Sequence, residues 1–423
     1  MSANCQTLND WLRFVEAQHP ESVINLGLSR MQTRLARLQI AFNCPVITVG
    51  GTNGKGSTCA MLEAIYRSAG YKTAMHTSPH MLHFNERACI NGQMLDDESL
   101  VKGFEKVESV RDGLALSYFE FTALAILCAF KEAKPDVVIL EIGLGGRLDA
   151  INALESDVAI VTTVGIDHEA FLGNTRDSIG WEKAHIYRTG KPAVCADRHP
   201  PKKLLEYAEA LKTNLKVYGR DFDVKDTGHG IRYEGQTLTW ELAYPALAGR
   251  NQLDNAAGVL AVVESLLARL PVTQEEASRG LEIVRVPARF ECVAHDPLTY
   301  LDVGHNPHAA RVLAENVKTL PKTGKTIAVF GMLADKDMLD VVILMKEVID
   351  EWYIATLPPP RGATAELLRR TMLEAGVSDS TIHVSEDIAH ALKAAQDAAK
   401  SNDVLIVFGS FVTVTAVLPL LAH

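Results

Sequence analysis

The chain has 423 residues, 47% of them apolar and 22% charged, with 42 Lys plus Arg against 52 Asp plus Glu for a formal charge of −10. That length suits about two to three globular domains. The acidic excess, spread along the chain, argues against a nucleic-acid binder, which needs a basic face, and against a charged tail.

The opening MSANCQTLNDWLRFVE lacks the basic region and apolar core of a signal peptide, so none is expected. Short β-branched runs then alternate with helical patterns. Residues 45–50 (PVITVG), 136–141 (DVVILE) and 157–165 (DVAIVTTVG) read as buried strands of a parallel sheet. The periodic segments 57–69 and 119–133 read as covering helices, and this alternation predicts a doubly wound sheet. Residues 214–246 differ: residues 230–242 alternate around Glu234-Gly235-Gln236 as a hairpin would, which marks a β insertion. An Ala- and Val-rich helix is expected over 255–267.

A second alternating series follows, with strands expected at 299–303, 326–331, 352–357, 381–385 and 404–408. Residues 286–297, with Pro287 and Pro297, read as a hinge between domains 1–290 and 291–423. Residues 404–422 carry no charge, close to the length of a membrane span. Gly409-Ser410 and Pro419 interrupt them, so a strand, a turn and a closing helix are expected, with no membrane association. The fold class expected is α/β: a P-loop-containing, doubly wound N-terminal domain with a small β insertion, and a smaller Rossmann-like α/β C-terminal domain. Cys5, Cys44, Cys59, Cys89, Cys128, Cys195 and Cys292 are odd in number, scattered and never paired as C-x-x-C, which points to a reducing compartment, the cytoplasm.

The strongest chemical signal follows the first strand: Val49-Gly50-Gly51-Thr52-Asn53-Gly54-Lys55-Gly56-Ser57-Thr58. A glycine-rich turn between strand and helix aims backbone N–H groups at one spot, the helix N-terminus adds partial positive charge, and Lys55 adds a full one. A triphosphate uses all three. The spacing departs from G-x-x-x-x-G-K-[ST], since Val49 stands at the first glycine and Gly56 follows the lysine. Magnesium would need hard oxygen ligands at a neighbouring strand end, and Glu141 ends such a strand; a structural acid is the other reading of it. Gly143-Leu144-Gly145-Gly146 lacks the spacing of a dinucleotide fingerprint. His168 reads either as a packed histidine or as a ligand at the sheet's carboxyl edge. His76, His80 and His83 would share a helical face, but Thr77-Ser78-Pro79 interrupts it and a zinc site is not expected. Glu182-Lys183 reads as a surface ion pair. Strand ends at 301–308, 331–337 and 408–411 suggest a second ligand edge, and two such edges would make an interdomain cleft.

Eight motifs in one order narrow this reading: GTNGKGS (51–57), TSPH (77–80), EIGLGGRLDA (141–150), DH (167–168), EKA (182–184), DVGHNPHA (302–309), GMLADKD (331–337) and PRGA (360–363). Together they closely resemble the folylpolyglutamate synthase/dihydrofolate synthase family of the Mur ligase superfamily, over about residues 26–413. The resemblance implies an ATP- and Mg2+-dependent amide ligase. It would join L-glutamate to dihydropteroate and to reduced folates through an acyl phosphate, as a cytoplasmic monomer with no nucleic-acid or membrane partner.

By resemblance, Gly54, Lys55, Gly56 and Ser57 hold the ATP phosphates, and Ser78, Glu141, His168 and Lys183 hold the metal, the lysine as a carbamate. Asn255, Arg289 and Asp302 match nucleotide contacts; Asp302, His305 and Ser410 lie where the family holds glutamate or positions its domains. Lys55, His168, Lys183, Asp302 and His305 form the implied catalytic set. Asn25-Leu26-Gly27-Leu28, Ser117-Tyr118-Phe119-Glu120 and Leu148-Asp149-Ala150 resemble pterin-binding segments, although Tyr118 and Phe119 also suit an ordinary helix core. The chain departs from the family pattern at Ile151 (Thr), Asn251 (His), Ala288 (Gly) and Val412 (His). The alternatives are a Mur-type ligase for a UDP-sugar peptide, a non-catalytic nucleotide-binding module, and an NAD-dependent oxidoreductase.

Overall fold

The computed structural model describes residues 5–21, 23–321 and 323–421. The chain divides into two compact units, Met1–Ala246 with Leu253–Val284, and Leu247–Gln252 with Arg285–His423.

In the first unit, β1 (Val46–Gly50), β2 (Thr73–His76), β3 (Ala88–Ile90), β4 (Gln93–Met94), β5 (Val137–Glu141), β6 (Val158–Val161), β7 (Pro192–Cys195) and β8 (Asn214–Val217) form one sheet in the order β4-β3-β2-β5-β1-β6-β7-β8. The β2–β3 and β3–β4 pairs are antiparallel and the other pairs parallel. Every residue of β1, β5 and β6 is buried, which is why these strands read as unbroken β-branched runs. β5 flanks β1 on one side and β6 on the other, so the chain changes direction at β1. The carboxyl ends of β5, β1 and β6 therefore bound the crevice where open α/β sheets bind ligands. The strand expected over 157–165 stops at Val161, because the residues after it leave the sheet to hold the turn that follows β1.

The β insertion contains the expected hairpin, β10 (Ile231–Glu234) with β11 (Thr239–Leu242), and a further antiparallel strand, β9 (Asp223–Asp226). It is anchored to the helix Asn251–Leu266 by Glu264. One Glu264 oxygen accepts from Lys216 Nζ at 2.8 Å and the Tyr233 hydroxyl at 3.1 Å; the other accepts from Thr237 N–H at 2.6 Å and its hydroxyl at 2.8 Å.

The second unit is a six-stranded sheet in the order β12-β13-β17-β14-β15-β16. Its strands are β12 (Arg289–His295), β13 (Leu298–Asp302), β14 (Thr326–Phe330), β15 (Glu351–Ala355), β16 (Ile382–Ser385) and β17 (Val404–Phe408), parallel except for the β12–β13 pair. The segment read as a hinge is therefore mostly strand. Two register shifts, between Arg289 and Glu291 and between Cys292 and Ala294, break the alternation that would have marked it. The uncharged C-terminal stretch is a strand, a turn and the helix Phe411–Leu421, with Ala422 outside the described residues. No described helix is long and apolar enough to cross a membrane.

The Glu264 cluster gives a stability test. Glu264→Ala would leave the Lys216 ammonium buried without its counter-charge, and the loss expected is about 3 kcal/mol. Urea unfolding of the two proteins measures it, and a loss within experimental error would refute the anchor.

Candidate active site

Residues 51–54 and the first turn of the helix Lys55–Ser68 form a glycine-rich turn at an uncapped helix start. Gly51 and Gly54 lie at φ of 148° and 86°, and Gly54 caps the helix with no side-chain acceptor. The first helical N–H groups are thus left for a ligand. A Cβ at Gly51 would stand 1.8 Å from the Thr162 hydroxyl, and one at Gly54 would stand 2.5 Å from Asn255 Oδ1. The backbone of the turn is fastened to the chain after β6. Thr52 N–H donates to the Thr163 carbonyl at 2.6 Å, Asn53 N–H to the Thr163 hydroxyl at 3.2 Å, and the Thr162 hydroxyl to the Asn53 carbonyl at 2.6 Å. Thr162 and Thr163 hold the turn without any signal in the sequence, since TT at a strand end carries no motif of its own.

Two lysines meet on this turn. Lys55 Nζ donates to the carbonyls of Gly51 and Thr52 at 3.2 and 3.1 Å, and Lys183 Nζ donates to the same Gly51 carbonyl at 2.9 Å. Lys183 is buried, contrary to the surface ion pair expected of Glu182-Lys183; Glu182 instead pairs with Arg147 at 2.9 Å. Burial first, and the Lys55 charge second, pull the Lys183 amine down to about 7.

Glu141 is buried at the end of β5 and lies beside Val49 of β1. Its carboxylate accepts Ser78 N–H at 3.1 Å, which brings the Ser78 residue to the same edge. His168 stands in the left-handed conformation at φ 53°, with its N–H on the Asp167 carboxylate at 2.8 Å. Among the described residues no three His, Cys, Asp or Glu side chains gather as a metal centre. The expected ligand set holds one carboxylate and one imidazole beside Ser78 and Lys183, so it would not form such a group. A hard-oxygen metal site fits this edge to the extent that a buried carboxylate and a hydroxyl-bearing residue meet beside the glycine-rich turn. The three expected helical-face histidines separate: His76 ends β2 with Nδ1 2.7 Å from the Arg87 carbonyl, His80 Nδ1 accepts from Arg87, and His83 caps the turn Phe84–Arg87.

The three pterin-like segments come together. Gly27 N–H donates to the Leu148 carbonyl at 3.1 Å, and Arg30 links Glu120 at 2.9 Å to the Asn25 carbonyl at 2.9 Å. Ser117 and Glu120 form a capping box at the start of the helix Tyr118–Ala133. Tyr118 is buried within reach of the Arg87 guanidinium, and Phe119 fills the space where a Gly143 side chain would be. Asn25 is exposed, while Leu26 and Leu28 are half-buried. Asp149 is buried and spends its oxygens on Leu144 N–H at 2.8 Å and Ile151 N–H at 2.9 Å. Burial nevertheless raises its carboxyl to about 6. The glycine loop after β5 is thereby folded around an internal carboxylate, leaving Leu144 N–H unable to serve a dinucleotide phosphate. Ala150 and Ile151 are buried, so Ile151 needs no partner for a hydroxyl.

In the second unit, Asp302 accepts Phe290 N–H at 3.0 Å and Gly304 N–H at 2.6 Å, and burial raises its carboxyl. These bonds hold the Arg289 turn, in which Ala288 and Phe290 both stand at left-handed φ, 54° and 52°. Alanine thus occupies a conformation that favours the family's glycine, a strain of about 1 kcal/mol. The Arg289 guanidinium lies 5.3 Å from the Phe411 ring centre, and His305 Nδ1 lies 2.9 Å from the Val303 carbonyl. Ser410 is buried; its hydroxyl accepts Thr413 N–H at 2.9 Å and so caps the closing helix. Val412 is exposed on that helix.

A phosphate-type turn at the switch point of a parallel sheet, with two lysines and a buried acid, is the arrangement of a nucleotide-dependent α/β enzyme. Residues 49–263 match the Mur ligase middle domain, and residues 288–411 match the Mur ligase glutamate ligase domain. The chain is 40% identical over 413 residues to the dihydrofolate synthase/folylpolyglutamate synthase of Escherichia coli K12, covering 97% of this chain and 94% of that one. It superposes with a TM-score of 0.92, at 39% identity and 98% coverage of both chains, on E. coli FolC in complex with DHPP and ADP. A bifunctional folylpolyglutamate synthase/dihydrofolate synthase solved with Mn, AMPPNP and L-glutamate gives 0.91 at 38% identity, covering 99% of this chain and 98% of that one. The chain belongs to the dihydrofolate synthase/folylpolyglutamate synthase family.

The turn supplies its own test. Gly54→Ala puts a methyl group against Asn255 at a left-handed position, and Mg·ADP affinity is expected to fall at least tenfold with the circular dichroism unchanged. Titration calorimetry reads this, and unchanged affinity would refute the turn as the nucleotide site.

Proposed function

We propose that the protein uses ATP to join L-glutamate to dihydropteroate and to reduced folates, by way of an acyl phosphate. The observation that carries this reading is the convergence of Lys55 and Lys183 on one carbonyl at an uncapped helix start. The Lys55 ammonium and the N–H groups of the helix start call for an anion, and a triphosphate supplies several negative oxygens. Lys55 would exchange its carbonyl partners for phosphate oxygens as the nucleotide enters, with the N–H groups of Gly54, Gly56 and Ser57 around them. Charge developing on the transferring group then meets fixed positive partners. The carboxylate of the substrate becomes a good electrophile once phosphorylated, and the glutamate amine displaces phosphate.

Glu141 and Ser78, with His168 and a carbamylated Lys183, would hold magnesium. The chemistry it would supply there is Lewis-acid polarisation of phosphoryl oxygens. A neutral amine is the form that reacts with carbon dioxide, and an amine held near 7 is largely neutral at pH 8, whereas an ordinary lysine is not. The segments around Asn25–Leu28, Ser117–Glu120 and Leu148–Ala150 are assigned to the pterin. Asn255, Arg289 and Asp302 are assigned to the nucleotide, and His305 and Ser410 to glutamate. We also infer a cytoplasmic monomer; the seven free cysteines suit a reducing compartment.

The function is tested by phosphate release with ATP and glutamate, comparing dihydropteroate with tetrahydrofolate. Both substrates are expected to turn over, and Lys55→Ala is expected to lower either rate by at least a hundredfold while the fold persists. Release with neither substrate would refute the reading. A second test concerns Lys183. In buffer freed of carbon dioxide the activity is expected to decline and to return on adding bicarbonate at pH 8. Below about pH 6 the ammonium form does not react, so the return should fail there. Undiminished activity of Lys183→Ala would remove the carbamate from the mechanism.

A further inference from the structure

The carboxyl ends of β7 and β8 carry a cluster that the reaction above does not use. Arg198, just after β7, donates from Nε and Nη2 to one oxygen of Asp254, at 3.1 and 2.9 Å. Tyr218, just after β8, donates its hydroxyl to that oxygen at 2.8 Å and accepts a bond from Arg198 Nη2. The guanidinium lies 4.1 Å from the centre of the Tyr218 ring, a cation–π geometry. Tyr218 in turn stacks on Phe222 at 5.3 Å with the planes 4° apart. The Arg198 and Asp254 side chains stay 49% and 35% exposed, and ion pairs so placed add little to stability. What they fix is position.

Asp254 belongs to the first turn of the helix Asn251–Leu266, where a negative charge complements the helix dipole. The next residue is Asn255, whose Oδ1 lies where a Gly54 side chain would be. Farther along, Gly258 lets the helix close onto Ile160 and Ala196, and Glu264 fastens the last turn to Lys216, Tyr233 and Thr237. Those attachments fix the helix axis and its far end. The Arg198 cluster holds the turn that meets the phosphate-binding loop.

We propose that Arg198 is a positioning residue for the nucleotide: through Asp254, with Tyr218 as its platform, it holds Asn255 against Gly54. Nucleotide affinity then depends on a guanidinium that acts through Asp254 and Asn255. This rests on the nucleotide-site reading above. An exposed pair can be removed without leaving a buried charge unpaired, so the site loosens while the fold remains.

The test is titration calorimetry of the full chain with Mg·ADP, for Arg198→Ala, Asp254→Ala and the double variant. Each single variant is expected to weaken binding at least fivefold with Tm within about 3 °C of the parent. The double variant should bind no more than twofold more weakly than either single one, because both remove the same contact. In turnover, the KM for ATP should rise and the KM for glutamate should stay within twofold. Binding within twofold of the parent in Arg198→Ala overturns the proposal, as do losses that multiply in the double variant. A fall in Tm with all affinities declining together marks a purely structural role and also overturns it. A parent that binds ADP but ligates no folate refutes only the ligase reading, and one that binds no ADP refutes both.

Discussion

The carbonyl oxygen of Gly51 accepts hydrogen bonds from Lys55 and Lys183 together, and the rest of the first unit is arranged to make that contact hold. Two ammonium groups on one acceptor repel each other, and one of them is buried. The protein tolerates this because the turn cannot relax: its glycines sit where side chains would strike Thr162 and Asn255, and its amides are tied to the chain after β6. Burial first, and the Lys55 charge second, drive the Lys183 amine toward neutrality.

Within each unit, carboxylates act as scaffolding. Asp149 gathers the loop after β5, Asp302 holds the Arg289 turn, Glu120 joins a helix start to Arg30, and Glu264 anchors the β insertion. Each carboxylate is engaged by N–H or O–H groups, the condition under which buried charge is affordable. Ser410 belongs with them as a helix cap. Loops at a parallel sheet's carboxyl edge have no ladder to stiffen them, and these side chains supply the stiffness.

The sequence by itself determined the buried strands, their alternation with helices, the glycine-lysine turn and the order of motifs that marks the family. These are local: burial on both faces demands runs such as VITVG and VVILE, and a turn that wraps phosphate demands glycine at left-handed positions. The β12 strand was hidden because its bulges break the two-residue period. Tertiary structure alone decided what depends on partners distant in sequence. Glu182-Lys183 looks like a surface pair until the fold seals the lysine against Gly51, 132 residues away, and sends the glutamate to Arg147. Thr162, Thr163 and Arg198 carry no motif, yet they set the turn and its neighbouring helix. Local pattern reports which backbone a segment prefers; the charge state and duty of a side chain depend on what the fold brings against it.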